Sequence, residues 1–205
     1  MSRRPQILPL ALVLLLVSGC ATTVFTSTWK APDVQGVSPV GKSVAAVFVT
    51  GNESRRRSAE DILVADLNAR GAHGIAAYTV LPQGGHTASE QARASLKQAG
   101  AEAVVVMRVV GRDTRVTYWP GYAMPAYYNG FGPIWGYGWG VAYQPGYLQT
   151  DQEVSVETLV YSMKSDKLLW ASTSRTTNPR GIDSLVSEVA EATAKQMQKQ
   201  GFLAP

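Results

Sequence analysis

The side chains that could catalyse a reaction or bind a metal are few and far apart in this sequence. His73 and His86, the only histidines, stand beside turns, and neither has a cysteine or a second histidine at metal-ligand spacing. A serine nucleophile would need a histidine base and a sharp turn of the GxSxG type, and the sequence has no such motif. Asp151, Glu153 and Glu157 could pair as acid and base, but on an alternating strand they form its solvated face. The sequence therefore predicts no catalytic residue, no metal and no cofactor.

The single cysteine, Cys20, has the clearest chemistry in the chain. It follows a basic start, with Arg3 and Arg4, and an apolar run over 7–17. That run has the length of a signal-peptide core and is too short to cross a bilayer, which needs about 20 residues. Because it is alone, the cysteine cannot form an intramolecular disulfide.

Residues 17–20, VSGC, resemble the lipobox of bacterial lipoproteins. The resemblance implies removal of a signal peptide, 1–19, and a lipid-modified Cys20 bearing diacylglycerol on sulfur and a third acyl chain on the new amine. One acyl chain anchors weakly, whereas two or three anchor durably. Ala21 stands where an aspartate tends to retain such proteins in the inner membrane, so the resemblance implies the outer membrane. The alternative is an ordinary signal peptide with a chance cysteine.

Residues 116–150 differ in composition from the rest of the chain. They contain no Asp, Glu, Lys or Arg, yet they hold 11 of the 18 aromatic side chains (9 Tyr, 5 Trp and 4 Phe). We interpret them as a Tyr/Gly/Trp-rich insert that makes the working contact. The residues predicted to form that contact surface are Trp119, Tyr122, Tyr127, Tyr128, Trp135, Tyr137 and Trp139.

Several interpretations of the insert stay open. It could be a flexible loop, or a hairpin whose aromatic side chains cover the domain's own sheet. Tyrosine and tryptophan are favoured at the boundary between lipid and water, which would suit contact with a membrane. Hairpins from several subunits could close a pore, although the four prolines of the insert would interrupt strand ladders. Aromatic faces could also stack on the sugar rings of a glycan.

The rest of the sequence alternates between strand and helix patterns. Strands are predicted over 24–29, 43–50, 75–81, 103–110, 153–163 and 168–173. Helices are predicted to begin near Ser54 or Ser58, at a capping box over 87–90, and at Asp183. Residues 20–42 read as a tether that carries the first of these strands. From residue 43 to 201 the order β-α-β-α-β-(insert)-β-β-α predicts an α/β (α+β) domain, a layered sheet with helices packed against it.

This arrangement resembles the small periplasmic α/β domain of envelope lipoproteins and assembly factors such as the N-terminal domain of TolB, CsgG, PelC and LpoB. The similarity lies in SVAAVFVT (43–50), KQAGAEAVVVMRVVG (97–111) and VETLVYSMKSDKLLWAST (156–173). It implies a non-enzymatic envelope protein, because members of this group act mostly as scaffolds, channel subunits or activators.

Charge excludes one class of partner. The formal net charge is +4, and removing Arg3 and Arg4 leaves 17 basic and 15 acidic residues, or +2. That field is too weak to indicate nucleic acid binding. The run Arg55–Arg57 reads as exposed arginines after a turn, with contact to anionic lipid or glycan phosphate as the alternative.

Taken together, we expect a lipid-anchored protein on the outer membrane that faces the periplasm. We expect it to act as a structural or assembly factor whose insert contacts the membrane, a second copy or another envelope protein. A periplasmic module that binds peptidoglycan or another glycan is the first alternative, and a hydrolase is a more distant one.

Overall fold

The computed structural model describes residues 22–81, 89–121 and 145–204. Within them, strands β1 to β6 form one mixed sheet in the order β1-β6-β5-β4-β2-β3. The strands are β1 (Thr22–Lys30), β2 (Ser43–Val49), β3 (His73–Ala76), β4 (Ala103–Trp119), β5 (Tyr147–Ser162) and β6 (Lys167–Thr177). The helices are α1 (Glu53–Ala69), α2 (Ser89–Gln98) and α3 (Ile182–Lys199), with a 3-10 turn at Ala77–Thr79. The predicted α/β class is confirmed.

None of the helices in the described ranges is both long enough and apolar enough to cross a membrane.

Helices cover both faces of the sheet. On one face α1 and α3 pack together, and their Leu63 and Val189 join Met107 of β4 in one apolar core. On the other face α2 places Leu96 against Val104 of β4. β4 therefore has a buried side chain in each core, as expected for a strand at the centre of a covered sheet.

The end of the chain is fastened to the strand at the start of the domain. Trp170 of β6 is fully buried, and its Nε1 donates to Gln200 Oε1 at 2.8 Å. Gln200 Nε2 in turn donates to Thr28 Oγ1 of β1 at 2.6 Å. Phe202 packs against Trp170 in the same cluster. Because β1 pairs with β6 along its whole length, the strand predicted over 24–29 lies in the sheet.

The first helix begins earlier than either predicted cap. Asn52 is the N-cap, and its Oδ1 accepts from the backbone N–H of Arg55 at 2.9 Å. Ser54 and Ser58 therefore lie inside the helix. Asn52 caps the helix in place of either serine, because it directly follows the turn that ends β2 and its side chain reaches the third helical N–H.

Asp183 is likewise not the cap of α3. The helix begins after Gly181, and Asp183 lies in its first turn. Its Oδ1 accepts from Ser58 Oγ of α1 at 2.6 Å. A carboxylate in the first turn suits the positive end of the helix, and here it also joins the two helices of the main core.

The strand predicted over 75–81 is cut short because a helix supplies its hydrogen bonds. β2 pairs with β3 only as far as residues 46 and 76, so the next amides along that edge lack strand partners. Glu60 of α1, fully buried, accepts from the backbone N–H of Phe48 at 3.1 Å and of Tyr78 at 2.6 Å. Arg56 Nε completes the group at 3.2 Å from the same carboxylate. We call Glu60 and these three donors the carboxylate clamp.

Candidate functional site

β4 and β5 extend beyond the rest of the sheet as a pair. The pairing of β4 with β2 ends at Arg108, and that of β5 with β6 ends at Glu153. The two strands nevertheless stay paired with each other as far as Trp119 and Tyr147. We call the last four pairs, residues 116–119 with 147–150, the ribbon. No third strand pairs with the ribbon among the residues that the structure describes.

Both strands are longer than their sequence predictions of 103–110 and 153–163. Four residues at each end of the segment 116–150 belong to the ribbon. Val116, Tyr118, Trp119 and Tyr147 are β-branched or aromatic, which are the side chains that favour a pleated surface. The lack of charge that distinguishes 116–150 therefore does not stop its ends from forming strand.

A β-bulge lies between the covered part of β4 and the ribbon. Val109 pairs with Val156 and Gly111 pairs with Ser155, so Val110 is left without a partner. A bulge bends a strand and increases its twist. The bulge therefore sets the direction in which the paired strands leave the body of the domain.

An ion group with a buried carboxylate lies beside the base of the ribbon. Glu153 is 8% exposed, and its carboxylate lies 3.5 Å from Arg115 Nε and 3.4 Å from Arg175 Nε. The prediction that Glu153 lies on a solvated face is wrong, because these two long side chains cover it. The three residues join β4, β5 and β6 at the level where the sheet narrows to two strands.

Two further carboxylates bind their neighbours. Asn178 Nδ2 donates to Asp151 Oδ1 at 2.8 Å, and Gln149 Nε2 lies 3.1 Å from both oxygens of that carboxylate. These hydrogen bonds, Asn178 first, lower the pKa of Asp151. Glu157 pairs with Arg108 across β4 and β5. The Asp151 carboxylate is thus held in its ionised form by its hydrogen-bond donors, and Glu157 joins β4 to β5 through its ion pair.

The ribbon exposes apolar side chains on both of its faces. On one face Val116, Tyr118 and Leu148 are 58%, 63% and 67% exposed. On the other, Trp119 stacks on Tyr147 with ring centroids 6.5 Å apart and planes 20° from parallel. The indole Nε1 of Trp119 donates to Gln149 Oε1 at 3.2 Å, which fixes the ring on the strand.

Gly146 lies where the chain enters the ribbon, and it has no room for a side chain. A Cβ there would lie 2.7 Å from the Tyr118 hydroxyl and 2.8 Å from both Gly121 N and Trp119 O. We expect Gly146→Ala to push the ribbon end apart at a cost of about 1–3 kcal/mol, the usual range for overpacking. The measurements are the shift of the Trp119 indole proton by NMR and the thermal midpoint.

Gly51→Ala is the matched control, because a Cβ at that position meets nothing within 4 Å. Equal indole shifts in the two variants would show that Gly146 does not hold the ribbon end.

One of the predicted contact residues, Trp119, lies in the described part of the chain, and it is half exposed on the ribbon. The other predicted contact residues and Cys20 lie outside the described residues, namely Tyr122, Tyr127, Tyr128, Trp135, Tyr137 and Trp139. The prediction left out Tyr118, Tyr147 and Leu148. A comparison of the two ends of the segment, VTYW and YLQT, would have found them, because both ends are uncharged and favour strand and could therefore pair with each other.

The ribbon and the beginning of the described chain lie at the same end of the molecule. Thr22, the first residue of β1, pairs with Thr177 of β6. Thr177 pairs with Glu153 of β5, which pairs with Asp113 of β4, so the four residues form one row across the sheet. Trp119 is six residues further along β4 than Asp113, or about 20 Å at about 3.4 Å per residue. β1 therefore begins beside the base of the ribbon.

The arginine run at the start of α1 is partly internal. Arg56 is buried in the carboxylate clamp and also lies 3.5 Å from Glu53. Arg57 Nε donates to Glu53 at 2.9 Å, and its guanidinium lies 5.0 Å from the centre of the Tyr78 ring. The expectation of three exposed arginines is therefore wrong for Arg56, which packs inward because Glu60 is one helical turn away.

His73 is exposed at the start of β3, and His86 falls outside the described residues. In the ranges that the structure describes, no group of three His, Cys, Asp or Glu side chains is placed to hold a metal ion.

No protein-family model and no curated protein matches this chain. Among solved structures, it is similar to two PelC dodecamers from Paraburkholderia phytofirmans. A single-substitution variant is 16% identical, with a TM-score of 0.46, and the match covers 85% of this chain and 96% of that one. PelC in a second crystal form is 13% identical, also with a TM-score of 0.46, and the match covers 89% of this chain and 98% of that one. Lipoprotein GNA1162 from Neisseria meningitidis is 14% identical, with a TM-score of 0.42, over 77% of this chain and 99% of that one. Such likenesses concern the fold and leave open what this chain binds.

Proposed function

We propose that this chain is a lipid-anchored protein of the outer membrane that faces the periplasm and acts as a non-enzymatic structural or assembly factor. In this proposal Cys20 carries the lipid, and the ribbon with the segment it bounds makes the working contact. The observation that carries the proposal is the exposure of Val116, Tyr118 and Leu148 on a ribbon that extends beyond the sheet.

Within the described ranges nothing covers the ribbon, so a partner surface would stabilise it. Two strands alone are marginally stable in water, and they become stable when a third surface packs against them. Fully burying one large apolar side chain gains about 1.5–3 kcal/mol, so a surface that covers the ribbon stabilises it and binds it at the same time. Contiguous exposed apolar area on a folded protein commonly marks such a contact.

The direction of the ribbon favours the bilayer as the first surface it meets. Cys20 is two residues before Thr22, which at about 3.6 Å per residue places it within about 7 Å of the start of β1. A lipid there would hold the ribbon end of the sheet toward the membrane. Tyrosine and tryptophan suit that boundary, because their rings are apolar and their polar groups stay hydrated.

The ribbon can be tested separately from the anchor, in a full chain that carries Cys20→Ala. We expect the triple variant Val116→Ser, Tyr118→Ser and Leu148→Ser to bind vesicles of outer-membrane phospholipids roughly tenfold or more weakly, since each loses apolar burial. Flotation of the vesicles measures the bound fraction.

The matched control changes three valines that are at least half exposed elsewhere, Val24→Ser, Val40→Ser and Val49→Ser. Equal binding by the two triple variants would remove the ribbon from the membrane contact. If the chain instead sediments with purified peptidoglycan, and Trp119→Ala with Tyr147→Ala abolishes that binding, the glycan-binding alternative replaces the proposal.

A further inference from the structure

A cavity of about 560 Å³ lies between the sheet and the two helices α1 and α3. Protein interiors contain few voids larger than a water molecule, whereas ligand sites commonly enclose about 300–1,000 Å³. The cavity is lined by the first residues of β2 and β4 and the last residues of β5, including Val44, Ala103 and Ser162. It therefore lies at the opposite end of the sheet from the ribbon.

The inner wall of the cavity is apolar. α1 contributes Leu63 and Leu67, the sheet contributes Met107 and Val160, and Met197 of α3 and Phe202 close the other side. Unbranched methionines adapt their shape to what they contact. The wall follows β4 from Ala103 to Met107. These residues are four spacings apart, or about 13 Å, which is long enough for an extended alkyl chain.

The charged residues that line the cavity are mainly cationic. Four cations and two carboxylates line it, namely Lys42, Arg70, Lys97, Lys164, Asp66 and Glu102. Both carboxylates are already paired, Asp66 with Arg70 at 2.7 Å and Glu102 with Lys42 at 2.9 Å. Lys97 and Lys164 are exposed and make no ion pair with any described residue, so the group carries a net charge of +2.

One buried hydroxyl in the wall also lacks a partner. Thr193 of α3 is 4% exposed, and its Oγ1 makes no hydrogen bond within the described structure. Burying a hydroxyl without a hydrogen bond is unfavourable. A polar atom of a bound molecule would satisfy it.

We propose that this cavity binds an amphiphile with one alkyl chain and an anionic head group. The alkyl chain lies along the apolar wall, and the carboxylate or phosphate of the head group lies beside Lys97 and Lys164. The chain's own lipid is a poor candidate for the occupant, because β1 begins at the other end of the sheet. The inference does not depend on the lipid anchor or on the ribbon.

The full chain, held in a non-ionic amphipathic polymer, is titrated with the fluorescent fatty acid cis-parinarate, and laurate, dodecyl phosphate and dodecanol, which share a twelve-carbon chain, then compete for the site. We expect saturable binding that both anions displace more effectively than the neutral alcohol. Lys97→Gln with Lys164→Gln should weaken both anions by about fivefold or more and leave dodecanol unchanged, because only the head-group attraction is lost. The relative strength of laurate and dodecyl phosphate separates a carboxylate ligand from a phosphate ligand.

Lys30→Gln with Lys199→Gln is the charge-matched control, because neither lysine lines the cavity, and it should bind as the wild type does. Ala194→Phe, which fills the cavity from α3, should abolish saturable binding, while Cys20→Ala should leave it unchanged. The proposal is overturned if Ala194→Phe binds like the wild type, or if dodecanol competes as well as laurate. Loss of binding in Cys20→Ala would also overturn it, since the site would then depend on the anchor.

Discussion

Cys20→Ala is expected to move most of the protein from the membrane fraction to the soluble fraction. Each buried methylene of an acyl chain contributes about 0.8 kcal/mol to membrane binding, so losing two or three chains removes far more than any single contact of the ribbon can supply. Fractionation of cells, followed by the mass of the mature protein, measures the change. The wild-type mass should include the diacylglycerol and the third acyl chain, and the variant mass should not.

The neighbouring residue supplies the control for this experiment. By the lipoprotein resemblance, Ala21→Asp should keep the lipid and the membrane association but shift the protein to the inner membrane, which a sucrose gradient separates from the outer one. If Cys20→Ala matures normally and still sediments with membranes, the anchor has been assigned to the wrong residue.

Glu60→Ala is expected to lower the free energy of unfolding by about 3–5 kcal/mol. The substitution leaves the buried amide of Phe48 and the partly buried amide of Tyr78 without an acceptor, and Arg56 loses its buried partner in the clamp. Urea denaturation followed by circular dichroism measures the loss. Glu191→Ala on α3 is the control, because Glu191 is exposed and its ion pair with Lys195 lies at the surface, and its denaturation midpoint should hardly move.

The pH dependence of stability separates the contribution of the Glu60 charge from that of its packing and hydrogen bonds. Burial raises the pKa of Glu60, while the hydrogen bonds from Phe48 and Tyr78 oppose the rise. A folded-state pKa above the unfolded value means that the folded protein binds the proton more tightly. This contribution is fully present below the ordinary pKa of 4.5 and is lost as the pH rises through the folded value. Glu60→Gln should abolish that slope, and an unchanged slope would mean that another group causes it.

The sequence predicted those parts of the fold that depend on apolar periodicity. The run 43–50 and the alternation of Val154, Val156 and Val160 identify strands, because burial of one or both faces is visible in a single segment. The apolar stripe of the last helix, with Leu185 and Val189, likewise identifies its buried face.

The missed features nearest the candidate site depend on residues far apart in the chain. Glu60 looks like an ordinary surface residue of a helix until the unpaired edge of β2 is known, and Glu153 looks solvated until Arg115 and Arg175 are known to lie beside it. The ribbon also needed the register that joins Trp119 to Tyr147 across 28 residues. Pairing and polar satisfaction are tertiary properties, so a local pattern does not contain them.

The position of β1 has a consequence for the order in which the protein can assemble. Its partner is β6, so the hydrogen bond between Thr28 and Gln200 can form only when the segment that contains Trp170 and Gln200 is present. Pairings this distant in sequence form late, because the entropy of closing the intervening loop must be lost first. In the proposed lipoprotein, the residues next to Cys20 would therefore stay unfolded until residue 200 has been exported, which leaves them accessible to the enzymes that attach the lipid.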